Sequence, residues 1–147
     1  MPVPKSVVKV SKDGSYKFIS NVDAVQYTIR ELVRGALRDS GKVLAKKFRL
    51  SFYQKFNKHS GQVARGTGYW VRRKECDMQL GIARKGKGFW GIFQEIGTNN
   101  QKKEGLLRKT VEENISEIVK IQAKYLSELN KEKPNLNGIE EGDMEDE

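Results

Sequence analysis

The stretch at residues 90–110, WGIFQEIGTNNQKKEGLLRKT, decides how the rest of the chain is read. It passes from an aromatic-rich apolar segment holding one acid, Glu95, through Gly97-Thr98 into a polar basic loop, and then into a helical pattern. Such a turn can be an active-site loop, a phosphate cradle or a shaped connection between two elements. The flanking segments separate these readings.

Upstream, three segments have alternating or continuous apolar character: VARGTGYWV (63–71), CDMQLGIAR (76–84) and GFWGIFQEI (88–96). They predict an antiparallel meander, connected through the basic runs 72–75 and 84–88, with Met78, Leu80 and Ile82 on one face of the middle strand. Before them, from Asn21, Val25, Ile29, Leu32, Val33, Ala36, Val43 and Leu44 cluster on one side of a long helix. Arg30, Arg34, Arg38, Lys42 and Lys46 recur on its opposite side. The apolar stripe changes phase to Phe48, Phe52 and Phe56, which predicts that the helix kinks or re-packs after Ala45. Gly35 and Gly41 each cost about 1 kcal/mol against Ala inside a helix, and residues 57–61 end it. Downstream, Leu107, Val111, Ile115, Ile118, Gln122, Tyr125 and Leu129 predict one further amphipathic helix of about six turns.

The expected fold class is therefore α+β: a long N-terminal helix, an antiparallel three- to four-stranded meander, and a C-terminal helix packed on the sheet. Residues 1–20 read as an extended arm with a turn at Asp13-Gly14 and a short strand in YKFIS. Residues 21–130 read as a single domain, and 131–147 as an acidic disordered tail.

A chain of 147 residues has the size of one domain with one ordinary core. It contains no run of about 18 apolar residues, which excludes a membrane-spanning helix. Its N-terminus lacks the apolar centre of a secretory signal, so the expectation is a chain kept in the cytoplasm where it is made. One cysteine, Cys76, excludes a disulfide framework or a multi-cysteine zinc site. The net charge is +9, and residues 138–147, GIEEGDMEDE, hold six of the 19 acids and no base; the remaining chain therefore carries +15. A basic body of that kind suits an anionic partner.

Several motifs suggest chemistry. Residues 86–91, GKGFWG, match G-x-G-x-x-G, but a dinucleotide site needs that pattern to open a helix within a βαβ unit. Here the pattern is expected to run into a strand, which makes it a hairpin tip. The single histidine, His59, sits in a polar stretch with no spacing that ties it to Cys76 or to a Ser–Asp pair, so no catalytic triad is indicated. Glu75, Asp77 and Glu95 show no paired-carboxylate spacing, and an acid such as Glu95 most often binds backbone N–H groups or a neighbouring arginine. No enzymatic role, cofactor or metal is expected. The basic runs and the aromatics Tyr69, Trp70, Phe89 and Trp90 are compatible with phosphate contact and base stacking, which keeps a small basic nucleic-acid-binding module as the alternative. A third reading is a regulatory or toxin-like basic protein whose acidic tail masks its own basic face.

The opening stretch also carries a resemblance. A segment ending in Phe-x-Glu-x-Gly-Thr (Phe93, Glu95, Gly97, Thr98), a polar loop, and a helix starting at Leu106, Leu107 and Arg108 resembles the neck and tail-completion proteins of long-tailed bacteriophages. The order of elements over residues 20–130 is similar as well. Gly105 stands where that pattern commonly has proline, Leu106 replaces an aromatic residue, and Lys109 replaces a second proline. The resemblance implies a non-catalytic virion protein at the head–tail junction, a tail terminator or neck ring joining the head connector or stopper to the tail tube. It also implies a homo-oligomeric ring, hexameric by preference and dodecameric as the alternative. In such a ring Arg84, Lys85, Lys87, Lys102 and Lys103 are candidates for non-specific contact with genomic DNA in the lumen.

Overall fold

The computed structural model describes residues 4–56, 61–83, 87–100 and 102–131. The chain opens with an antiparallel hairpin, β1 (Val7–Val10) and β2 (Lys17–Ser20), with Val8 opposite Ile19 and Lys9 opposite Phe18. Its turn uses Gly14 at φ 66°, a region that glycine enters without steric cost. The hairpin packs mainly on itself.

A single helix follows, α1 (Val22–Phe56, 35 residues), about 52 Å long. The helix runs without interruption through Ala45, where the sequence predicts a kink or a re-packing. Leu32, Ala36, Ser40, Leu44, Phe48 and Phe52 are all buried at steps of four, so one continuous stripe replaces the two expected phases. Full burial of a Leu or Phe side chain contributes about 1.5–3 kcal/mol, and among the described residues the large buried apolar side chains all lie on α1. The first turns of α1 depart from expectation: Val25 and Ile29 are exposed, together with Val22. Gly41 has a packing role in the middle of the helix, since a Cβ there would lie 2.5 Å from the Tyr69 ring.

After α1 come a short helix, α2 (Gln62–Gly66), and an antiparallel pair, β3 (Thr67–Arg72) and β4 (Asp77–Ile82). The segment at 63–71 is thus helical at its start and extended only from Thr67. The register places Thr67, Tyr69 and Val71 opposite Ile82, Leu80 and Met78. That is the face expected for Met78, Leu80 and Ile82, and α1 packs against this hairpin.

The expected third strand is a helix. A 3-10 turn at Lys87–Phe89 leads into α3 (Trp90–Ile96). Two glycines explain the outcome. A Cβ on Gly88 would lie 2.7 Å from the Gln62 carbonyl oxygen, and one on Gly91 would lie 3.0 Å from Val63. The segment therefore lies directly on α2, and the spacing of Phe89 and Phe93 fits a helical face as well as a buried strand. Among the described residues the molecule has two two-stranded sheets, and no three- to four-stranded meander forms.

The C-terminal helix is divided into α4 (Leu106–Glu113) and α5 (Ile115–Ser127), followed by a 3-10 turn at Glu128–Asn130. The break falls at Asn114, whose side-chain amide donates to the Thr110 carbonyl at 2.7 Å, the local competition with the helix ladder that asparagine favours. Both α4 and α5 pack on α1. The α+β class stands, but the C-terminal helices lie on the long helix and not on the sheet. No helix among the described residues is long and apolar enough to cross a membrane. Residues 132–147, and with them most of the segment expected as an acidic tail, lie outside the described residues.

Candidate functional site

The segment from Phe93 to Arg108 forms a closed connection between α3 and α4. Helix α3 ends with the Gly97 N–H donating to the Phe93 carbonyl at 2.8 Å, and Gly97 then turns at φ 85°. Any side chain is excluded at Gly97, because a Cβ would lie 2.9 Å from the Lys103 backbone nitrogen. The loop returns against the end of α3: the Glu104 N–H donates to the Gln94 carbonyl (3.1 Å) and the Gly105 N–H to the Glu95 carbonyl (3.3 Å). The Glu95 carboxylate accepts from the Leu107 N–H at 2.9 Å.

This arrangement satisfies groups at two helix ends at once. The last carbonyls of α3 receive the loop N–H groups, and an acid caps the start of α4, where the helix dipole favours negative charge. A side-chain cap of this kind contributes about 1 kcal/mol. Glu104 is tied to Lys55 of α1, and this hydrogen bond, with the nearby positive charge, holds the Glu104 carboxyl below its ordinary value. Of the two kinds of partner expected for Glu95, backbone N–H groups or a neighbouring arginine, its carboxylate takes a backbone N–H, that of Leu107. With the carboxylate, the turn and the loop committed to one another, the segment works as a shaped connection.

The other motif residues divide between inside and outside. Leu106 and Leu107 are half-buried, whereas Arg108 is exposed and pairs with Glu112 on its own helix at 2.8 Å. Phe93 and Thr98 face outward and, with Trp90, Gln94 and Asn100, line a shallow hollow of about 390 Å³. Phe89, Trp90 and Phe93 touch one another with centroids 4.7–5.6 Å apart. Trp90 is 63% exposed and Ile96 66%, which makes this an aromatic surface patch and not core.

Of the cations expected to face DNA, Lys102 and Lys103 are exposed on the α3–α4 loop. Arg84, Lys85 and the side chain of Lys87 lie outside what the structure describes, as do His59 and Gly86. The G-x-G-x-x-G pattern does open a helix, contrary to expectation, but Gly88 and Gly91 are occupied by the approach of α2, and the helix has only seven residues.

A second feature was only partly legible as a basic helix face. Between the N-terminal half of α1 and the β3–β4 turn runs a groove of about 360 Å³. Arg30, Arg34, Arg72, Arg73 and Lys74 line it, with Glu31 the acid among its lining residues. Arg72 is committed to Glu75 and Asp77, and Arg34 reaches Glu31 at 3.4 Å. Arg30, Arg73 and Lys74 have no carboxylate at ion-pair distance among the described residues. Burial, followed by the charges of Arg38 and Arg73, holds the Arg34 guanidinium below its ordinary value. Helix and turn thus hold like charges together with fewer acids than bases. Sequence spacing showed each run but not their meeting, which depends on where β3–β4 docks on α1.

Among the described residues, no three His, Cys, Asp or Glu side chains group as a metal-donor set. Comparison of the chain with family models, curated proteins and solved structures finds no match to any of the three.

Proposed function

We propose that this protein is a structural ring subunit at the head–tail junction of a long-tailed bacteriophage, a tail terminator or neck protein. The observation that carries the reading is the β1–β2 arm. Val7, Val8, Val10, Tyr16, Phe18 and Ile19 are all 44–70% exposed, and an isolated two-stranded hairpin is marginal in water. An apolar arm that packs mainly on itself suits burial on another subunit. A ring needs two different patches that meet between neighbours, and the arm and the Trp90–Phe93 patch are two such surfaces. On this reading the arm of one subunit adds to an open edge of β3–β4 in the next. The four-stranded sheet then exists only across the subunit boundary. Glu95, Gly97 and the loop hold the aromatic patch in place and carry out no chemistry.

Immunogold electron microscopy of phage particles tests the assignment. Gold is expected at the head–tail junction, and particles that are consistently unlabelled exclude it. Six-fold rings in negative stain would give the copy number expected from a tail tube stacked in sixes, and twelve-fold rings the alternative.

The groove cations favour a second reading, a small basic nucleic-acid-binding module. Trp70, 41% exposed on the outer face of β3–β4 above Gly81, adds a surface for stacking. That reading expects duplex or single-strand binding that weakens steeply with salt, and a titration without such dependence removes it.

A further inference from the structure

We propose that the groove between α1 and the β3–β4 turn is the docking site for the chain's own acidic segment, residues 138–147. Three observations meet here, and none depends on the ring assignment.

The first is charge. Of the five bases that line the groove, Arg72 is held by Glu75 and Asp77 and Arg34 by Glu31, which leaves Arg30, Arg73 and Lys74, while residues 138–147 carry Glu140, Glu141, Asp143, Glu145, Asp146 and Glu147 without a base. Carboxylates accepting from guanidinium groups form the shorter, stronger class of hydrogen bond. An acidic occupant would also relieve the mutual repulsion around Arg34, Arg38 and Arg73. The second is shape and polarity. The groove floor includes Val33, Leu37 and Val71, and the segment carries Ile139 and Met144 among its acids.

The third is where the described chain ends. Helix α5 runs antiparallel to α1, because Glu117 pairs with Lys47 and Tyr125 donates to Asp39. Six residues beyond Tyr125 is Lys131; six residues back along α1 from Asp39 is Val33, itself a groove residue. The chain therefore leaves α5 at the level of the groove, on the other side of α1. Residues 132–138 span up to about 23 Å when extended, roughly twice the diameter of the helix they must pass.

Cys76, the only cysteine, is exposed and lines the groove, so it reports occupancy without any introduced label. The experiment measures alkylation of Cys76 by neutral iodoacetamide at low ionic strength, in the full chain and in a chain ending at residue 137. The full chain is expected to react at least about five-fold more slowly, because a covering segment blocks access to the thiol. The difference should vanish in about 0.5 M salt, where screening is short-ranged. It should also vanish in the full-length triple variant E140Q/E141Q/D143N, which retains the length of the segment. Equal rates in the full and shortened chains would overturn the proposal. So would protection that grows with protein concentration, which would assign the groove to a segment from a second copy. Protection of Cys76 by added duplex DNA, with no effect of the segment, would also overturn it and leave the groove to nucleic acid.

Discussion

Gly97 shows how one residue can be required twice. Its φ of 85° is strained for any side chain, and the Lys103 backbone fills the space a Cβ would need. Gly97→Ala should therefore lose about 2–3 kcal/mol of stability in urea denaturation, and a loss below the cost of an ordinary loop substitution would show that the loop can move away. Tyr125 gives a test that depends on pH. Burial, with its hydrogen bond to Asp39, raises its hydroxyl from an ordinary 10.0 to about 12. A folded-state value above the unfolded one means a stabilising contribution that is complete below pH 10 and lost as pH rises through about 12. Absorbance titration should show a late tyrosine ionisation that belongs to Tyr125. In Tyr125→Phe that late step should be missing, and stability should fall less steeply over the same interval. Late ionisation persisting in the variant would assign it to another tyrosine.

At the scale of elements, the contact between α1 and β3 is the one most open to a single substitution. Gly41 lies mid-helix, where glycine has poor propensity, yet it admits the Tyr69 ring at a distance no Cβ tolerates. Gly41→Ala sets a gain in helix propensity of about 1 kcal/mol against overpacking of about 1–3 kcal/mol. The steric term should win, with a lower melting temperature and a changed near-ultraviolet tyrosine signal. A more stable variant would mean that β3 rides on α1 more loosely than the contact implies. The same logic explains α3. Its sequence satisfies a strand or a helix locally, and the approach of Gly88 and Gly91 to α2 selects the helix. Asn114 acts similarly on the C-terminal helix, which its side chain divides while Lys47 holds its Oδ1 at 2.5 Å.

For the whole molecule, the placement of apolar surface is the main functional signal. Apart from Leu50 and Trp70, the large exposed hydrophobics of the described residues gather in three zones: the arm with the start of α1, the α3 patch, and the side of α5 and its following turn that carries Ile115, Val119, Leu126 and Leu129. Single exposed apolar residues need no explanation, but contiguous ones mark interaction surfaces. Removing residues 1–20 should leave the melting temperature within about 2 °C, since none of the arm's described residues is a buried core residue. If the protein forms the ring proposed above, the same deletion should abolish it in light scattering and negative stain. Intact rings without the arm would move the subunit contact to the other two zones, and a large fall in melting temperature would show that the arm belongs to the body's own fold.

Taken alone, the sequence determined which faces are apolar, where the chain must turn, and how charge divides. The register face of Met78, Leu80 and Ile82 and the turn at Gly97 follow from local periodicity and side-chain chemistry, whereas the choice between a backbone N–H and an arginine for Glu95 stays open until the loop folds back to Leu107. Tertiary structure decided the partners of those faces. It left Val25 and Ile29 exposed, carried α4 and α5 onto α1 and not the sheet, and turned residues 90–96 into a helix. It also brought Arg30 and Arg34 to Arg73 and Lys74. The reason is physical: periodicity records that a face avoids water, whereas a glycine contact or a charge cluster depends on segments distant in sequence meeting at a few ångströms.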